Sequence, residues 1–183
     1  MLIVKKGRLL ISEPSLNDPI FFKSVVLLTH HTTDESIGLV LNHPTKINLN
    51  EILNNIPLSD FPVYIGGPVA KNSIHFIHTL GKIIPGNQKI IDGLYWGGDF
   101  EKIIKLMSEN RISKDEIRFF AGYSGWDAEQ LNKEIKDNSW IVNKSNKKIC
   151  MEYSSQKLWG DIIKTKKKKY AIWTNMPKDP NMN

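Results

Sequence analysis

Two rhythms of apolar and polar positions alternate along the chain. Residues 8–12 (RLLIS) and 24–30 (SVVLLTH) are short, continuous aliphatic runs rich in β-branched side chains, the pattern of strands covered on both faces. Ile37-Gly38-Leu39-Val40-Leu41 repeats it and stops at Asn42-His43-Pro44. Val63-Tyr64-Ile65 reads as a strand ending in Gly66-Gly67-Pro68, and residues 74–79, 89–95 and 117–123 are further strands. Helical spacing is clearest over 99–110, where Phe100, Ile103, Ile104, Leu106 and Met107 share one face behind Asp99 as cap. A short helix is expected over 48–55, capped by Asn48 or Asn50. Another opens at Asp127, with Gln130 three residues on, and runs to about Asp137, burying Leu131 and Ile135. Trp140-Ile141-Val142 returns to strand. A last helix starts at Ser154 or Ser155 and carries Leu158, Trp159, Ile162 and Ile163. No repeat is present, so the expectation is one α/β-mixed domain over residues 1–183 with a lysine-rich segment from about 143.

Composition narrows the function classes. With 183 residues and 40% hydrophobic content, the chain can bury a sizeable core without a disulfide or structural metal. The only cysteine, Cys150, excludes an intrachain disulfide and disfavours a cysteine-based zinc site. Aliphatic runs such as Val25-Val26-Leu27-Leu28 fall far short of the ~20 residues a bilayer span needs. Lys5, Lys6 and Arg8 interrupt the apolar start, which argues against a secretory leader and makes a cytoplasmic location the expectation.

The net charge of +6 is unevenly placed. Residues 1–142 hold 15 Lys and Arg against 16 Asp and Glu, whereas residues 143–183 hold 10 Lys against three acids. A basic patch of Lys164, Lys166, Lys167, Lys168 and Lys169 could attract nucleic acid by counterion release. A solubilising helix end is the commoner use of such a run, so nucleic acid is disfavoured as a partner.

Four glycine- and proline-punctuated sites stand out: Asp18-Pro19-Ile20-Phe21, Gly38 through Asn42-His43-Pro44, Gly66-Gly67-Pro68-Val69, and Gly122-Tyr123-Ser124-Gly125-Trp126 with Gln130-Leu131 and Trp140 behind it. Paired glycines before a proline let backbone approach backbone or a ligand, and Asn42 can close a turn with its own side chain. In this order and spacing the sites resemble the YqgE/AlgH family of bacterial proteins. The resemblance implies an α+β fold, with helices around a mixed, branched β-sheet that includes a small barrel-like part. It also implies a regulatory role, since the family is commonly labelled as transcriptional regulators.

Familiar catalytic signatures are incomplete. Gly122-Tyr123-Ser124 mimics a nucleophile elbow, but Trp126 stands where the elbow needs glycine. His30 with His31, and His75 with His78, lack carboxylate or cysteine company, and His43 is the best of the five histidines for a role. Lys147 and Lys148 could favour the Cys150 thiolate, although burial or inert exposure is the commoner state. No phosphate-binding fingerprint or DNA-reading helix is complete. The reading is therefore a non-enzymatic regulatory protein that binds a protein or small ligand, with no cofactor, metal or catalytic residue. Its binding surface would comprise Asp18, Pro19, Asn42, His43, Pro44, Gly66, Gly67, Pro68, Tyr123 and Trp126. Nucleic-acid binding through the lysines is one alternative; a hydrolase using Ser124 or a proton-transfer enzyme using His43 is another.

Overall fold

The computed structural model describes residues 2–16, 18–54, 56, 60–127, 129–151 and 155–166. Among the described residues there are ten strands: β1 (Arg8–Ser12), β2 (Val25–His31), β3 (Glu35–Val40), β4 (Pro44–Asn48), β5 (Pro62–Ile65), β6 (Val69–His78), β7 (Gln88–Ile91), β8 (Leu94–Trp96), β9 (Ile117–Asp127) and β10 (Trp140–Lys144). Five α-helices accompany them among the described residues: α1 (Leu49–Ile52), α2 (Phe100–Ser108), α3 (Gln130–Lys136), α4 (Lys147–Met151) and α5 (Ser155–Lys164).

The main path of the sheet runs β10-β1-β2-β3-β9-β6-β8-β7, with β5 pairing β9 and β4 pairing β5 off that path. The branch lies at β9. One of its edges carries β6; the other carries β5, parallel, along residues 119–121 and then β3, antiparallel, along residues 124–127. Gly122 separates the two stretches with φ +68°, a left-handed conformation that costs glycine little and lets the strand change partner. The sheet curls into a half-barrel, and its two ends approach one another where Ile90 and Ile91 of β7 lie against Gly7, next to β1.

Both faces of the sheet are covered, which explains the unbroken apolar runs. Leu9 and Ile11 of β1, with Val25 and Leu27 of β2, point towards Cys150, Met151, Leu158, Trp159, Ile162 and Ile163 of α4 and α5. Leu10, Val26 and Leu28 point the other way, to Trp126, Trp140 and the Leu131 and Ile135 face of α3. A third cluster sets Ile103, Leu106 and Met107 of α2 against Val63, Phe76 and Phe119. Asp99 caps α2 as its position predicts, accepting the Lys102 N–H at 3.0 Å.

Several boundaries differ from the sequence reading. Residues 89–95 are not one strand, because Asp92-Gly93 turns them into the β7–β8 hairpin. The helix expected from Asp127 starts at Gln130, since the pairing of Asp127 with Glu35 extends β9 by main-chain hydrogen bonding. Gln130 still reaches back, its side-chain oxygen accepting the Asp127 N–H at 3.2 Å. The short helix over 48–55 covers only Leu49–Ile52, and Pro44 opens an unforeseen strand.

Candidate binding site

The Asp18, Asn42, His43 and Gly66 sites form one hydrogen-bonded junction. Asp18 Oδ1 accepts the N–H groups of Ile20 at 2.7 Å and Phe21 at 3.1 Å, which folds the turn beginning at Pro19. Asn42 is buried; its oxygen accepts the Val25 N–H at 2.7 Å and its amide donates to the Lys23 carbonyl at 2.7 Å. His43 Nε2 lies 3.3 Å from Ser24 Oγ, while the His43 carbonyl accepts the Ile65 N–H. Pro44 pairs with Tyr64.

Gly66 locks this junction onto β9. Its N–H donates to Ala121, and its carbonyl accepts both the Val40 N–H at 2.9 Å and the Ser124 hydroxyl at 3.1 Å. A Cβ at Gly66 would collide with the Gly122 carbonyl oxygen, so the crossing needs bare backbone here. Gly67 packs equally tightly on the backbone of Tyr123 and Ser124, and Pro68 carries the chain into β6.

Tyr123 and Trp126 face opposite sides of the sheet. Trp126 is 4% exposed and joins Phe21 and Trp140 in an aromatic cluster. Its indole N–H donates to Glu134 Oε2 at 2.8 Å, and Trp140 donates to the same oxygen at 2.7 Å. Tyr123 is half-buried beside the junction and meets His75 edge-on, with ring centroids 5.3 Å apart.

An aromatic row extends from that contact. Tyr64, Phe120 and His75 sit opposite one another across β5, β9 and β6. His75 stacks on Trp96 at 6.2 Å with 24° between ring planes. Its Nε2 is buried and has no hydrogen-bond partner among the described residues, and burial lowers its pKa from the ordinary 6.5. Beneath the row lies Arg118, only 5% exposed. Its guanidinium donates to the carbonyls of Cys150 and Leu41, each at 2.6 Å, and lies 4.1 Å from the centre of the Tyr64 ring. Burial pulls its pKa below the usual value, and Tyr64 and Cys150 oppose that fall.

Sequence reasoning weighed His75 only as half of a metal pair with His78 and gave Tyr64, Trp96 and Arg118 no site role. The available signal was the alternation on β9, which puts Arg118 on the same face as Phe120.

The remaining candidates are occupied in the fold. Ser124 is fully buried and donates to a carbonyl, so its hydroxyl is a structural tie between β9 and the Gly66 turn. Cys150 is buried, one of the two commoner states expected for it, and burial pushes its thiol up to about 12, away from the thiolate that Lys147 and Lys148 could have favoured. His78 is a satisfied core histidine: Nε2 bonds the Gly97 carbonyl at 3.1 Å and Nδ1 accepts the Leu80 N–H at 3.2 Å. Lys164 lies 4.0 Å from Asp161, and Lys166 donates to Asn143 Oδ1 at 2.7 Å. Lys167, Lys168 and Lys169 lie outside the described residues. Among the described residues, no group of three or more His, Cys, Asp or Glu side chains could hold a metal ion, and no helix is long and apolar enough to cross a membrane.

Comparison with known proteins follows the same outline. The solution structure of AlgH from Pseudomonas aeruginosa superposes with a TM-score of 0.74 at 23% identity, covering 97% of this chain and 98% of that one. The crystal structure of DIP2367 from Corynebacterium diphtheriae gives 0.76 at 20% identity, with 96% and 94% covered. At that identity the likeness establishes the fold, including the mixed, branched sheet. In sequence, the UPF0301 protein BF2109 of Bacteroides fragilis is 40% identical over 179 residues, spanning 97% of this chain and 91% of that protein. The UPF0301 protein CT0663 of Chlorobaculum tepidum is 35% identical over 181 residues, spanning 99% and 97%. The family profile described as AlgH-like matches residues 9–171, from β1 past the end of α5, so every junction described above falls inside it and the chain belongs to the AlgH-like family.

Proposed function

We propose that the protein is a regulatory binding protein without a reaction of its own, and that it recognises a small ligand or a partner's side chain. The recognition surface is the half-buried wall of Tyr123, His75 and Trp96, beside the Gly66-Gly67-Pro68 turn. One observation carries this reading: among the described residues, a buried imidazole nitrogen is left without a partner between two aromatic rings. An unpartnered buried polar atom costs about 1–3 kcal/mol, a deficit that an incoming hydrogen-bonding group removes. Flanking rings supply contact area for a planar group at little entropic cost.

The neighbouring motif residues serve the surface by fixing its backbone. Asp18 and Asn42 bond the backbone of the Pro19 turn and of β2, and the Gly66 carbonyl accepts the Ser124 hydroxyl next to Tyr123, so the junction fixes the strand that carries the aromatic wall. The regulatory part of the proposal rests on the family resemblance, and the absence of a reaction on the buried, carbonyl-bonded state of Ser124.

Native mass spectrometry of the full chain purified from its own cell, beside His75→Phe and Tyr123→Ala, tests the proposal. The expected result is a co-purifying species on the wild-type chain that both variants lose while keeping their fold. A wild-type chain carrying nothing, or a species that both variants retain, would overturn it.

A further inference from the structure

The seam where the two ends of the half-barrel meet is basic. Lys5, Lys6 and Arg8 approach it from the N-terminal side, Lys144 from the end of β10, and Ile91 of β7 forms its apolar wall. The cleft between them has a volume of about 230 Å³, and no carboxylate among the described residues lines it. Arg8 and Lys144 are direct cross-strand partners in the β1–β10 pair. Like charges placed directly opposite destabilise a sheet, so this register is unfavourable unless something negative lies between them. Arg8 Nε is buried and has no hydrogen-bond acceptor among the described residues. Ser145, by contrast, turns its hydroxyl inward to the Gly7 carbonyl and leaves the cations to define the cleft.

We propose that this seam is a binding site for a phosphate-bearing anion, with Arg8 and Lys144 as its paired anchors and Lys5 and Lys6 as outer cations. A guanidinium fork matches the oxygens of a phosphate, and lysines supply point charge around it. The cleft is smaller than the ~300 Å³ at which pockets begin to enclose a whole drug-sized ligand. The phosphates therefore enter the seam while any organic remainder stays outside. The site shares no residue with the Tyr123–His75–Trp96 wall and stands independently of it.

Isothermal titration of the full chain with pyrophosphate, at low and raised salt, tests the site. The expected result is saturable one-to-one binding that weakens with salt and becomes about tenfold weaker in Arg8→Gln and in Lys144→Gln. Lys144 is exposed at a strand end, so its variant remains informative if Arg8→Gln fails to fold. Lys105→Gln on α2 should bind like the wild type. A parallel titration with ADP separates two sources of the same chemistry. ADP binding with the same variant sensitivity supports a nucleotide's diphosphate; pyrophosphate binding alone supports the inorganic ion. Absence of saturable pyrophosphate binding would overturn the proposal. So would wild-type affinity in Lys144→Gln, or loss confined to a Lys164→Gln/Lys166→Gln variant.

Discussion

Arg118 and Arg8 start on strands of the same sheet and meet opposite fates. Arg118 is sealed inside, yet it donates to two carbonyls and lies over the Tyr64 ring. Arg8 is only partly covered, yet its Nε is buried without an acceptor among the described residues and its cross-strand partner is a lysine. Burial by itself therefore does not distinguish a structural cation from one poised for a ligand. What distinguishes them is hydrogen-bonding capacity left over after the chain has folded. The same contrast separates the two aromatic regions: Trp126 and Trp140 both donate to Glu134, whereas His75 keeps a nitrogen unpartnered among the described residues.

That contrast can be broken by substitution. Arg118→Met should have the largest effect, lowering stability by about 3 kcal/mol in urea unfolding, because two buried carbonyls lose charged donors. A loss under 1 kcal/mol would mean that this guanidinium is not the tie described above. Glu134→Ala comes next, at about 2 kcal/mol, since two indole N–H groups lose their acceptor together. Its near-ultraviolet circular dichroism should change with the tryptophan environment.

Acid should produce a smaller, graded effect. Burial holds the folded pKa of His75 and His78 below the ordinary 6.5, so the unfolded chain binds more protons as pH falls past that value. The stability they contribute is fully present above 6.5 and is lost as pH drops through their folded values. Thermal melts from pH 8 downward should show this limb, and His78→Gln should flatten part of it. The smallest effect belongs to Arg8→Gln, which should leave stability within about 0.5 kcal/mol of wild type. A destabilisation as large as that of Arg118→Met would erase the distinction between the two arginines.

Much of this architecture is legible in one dimension. The span of β1 coincides with the RLLIS run, and Asp99 marks the start of α2, because periodicity and capping are local properties. The branched sheet follows from the family resemblance, since nothing local in residues 117–123 says that the strand has different partners before and after Gly122. The split of residues 89–95 into a hairpin was hidden by apolar residues on both sides of Asp92-Gly93. The seam cleft was hidden for a different reason: Arg8 and Lys144 meet only through β1–β10 register, far apart in sequence. For His75 the residue was visible and its environment was not, because Trp96 and Tyr123 arrive from separate strands.

The position of β9 has a consequence during biosynthesis. β3, β5 and β6 each need this one late segment to complete their pairing. At ~5–20 residues per second on the ribosome, their open edges wait several seconds for Ile117–Asp127 to emerge. During that interval a nascent chain exposes strand edges capable of pairing with other molecules, so chaperone capture should matter most before residue 127 leaves the exit tunnel.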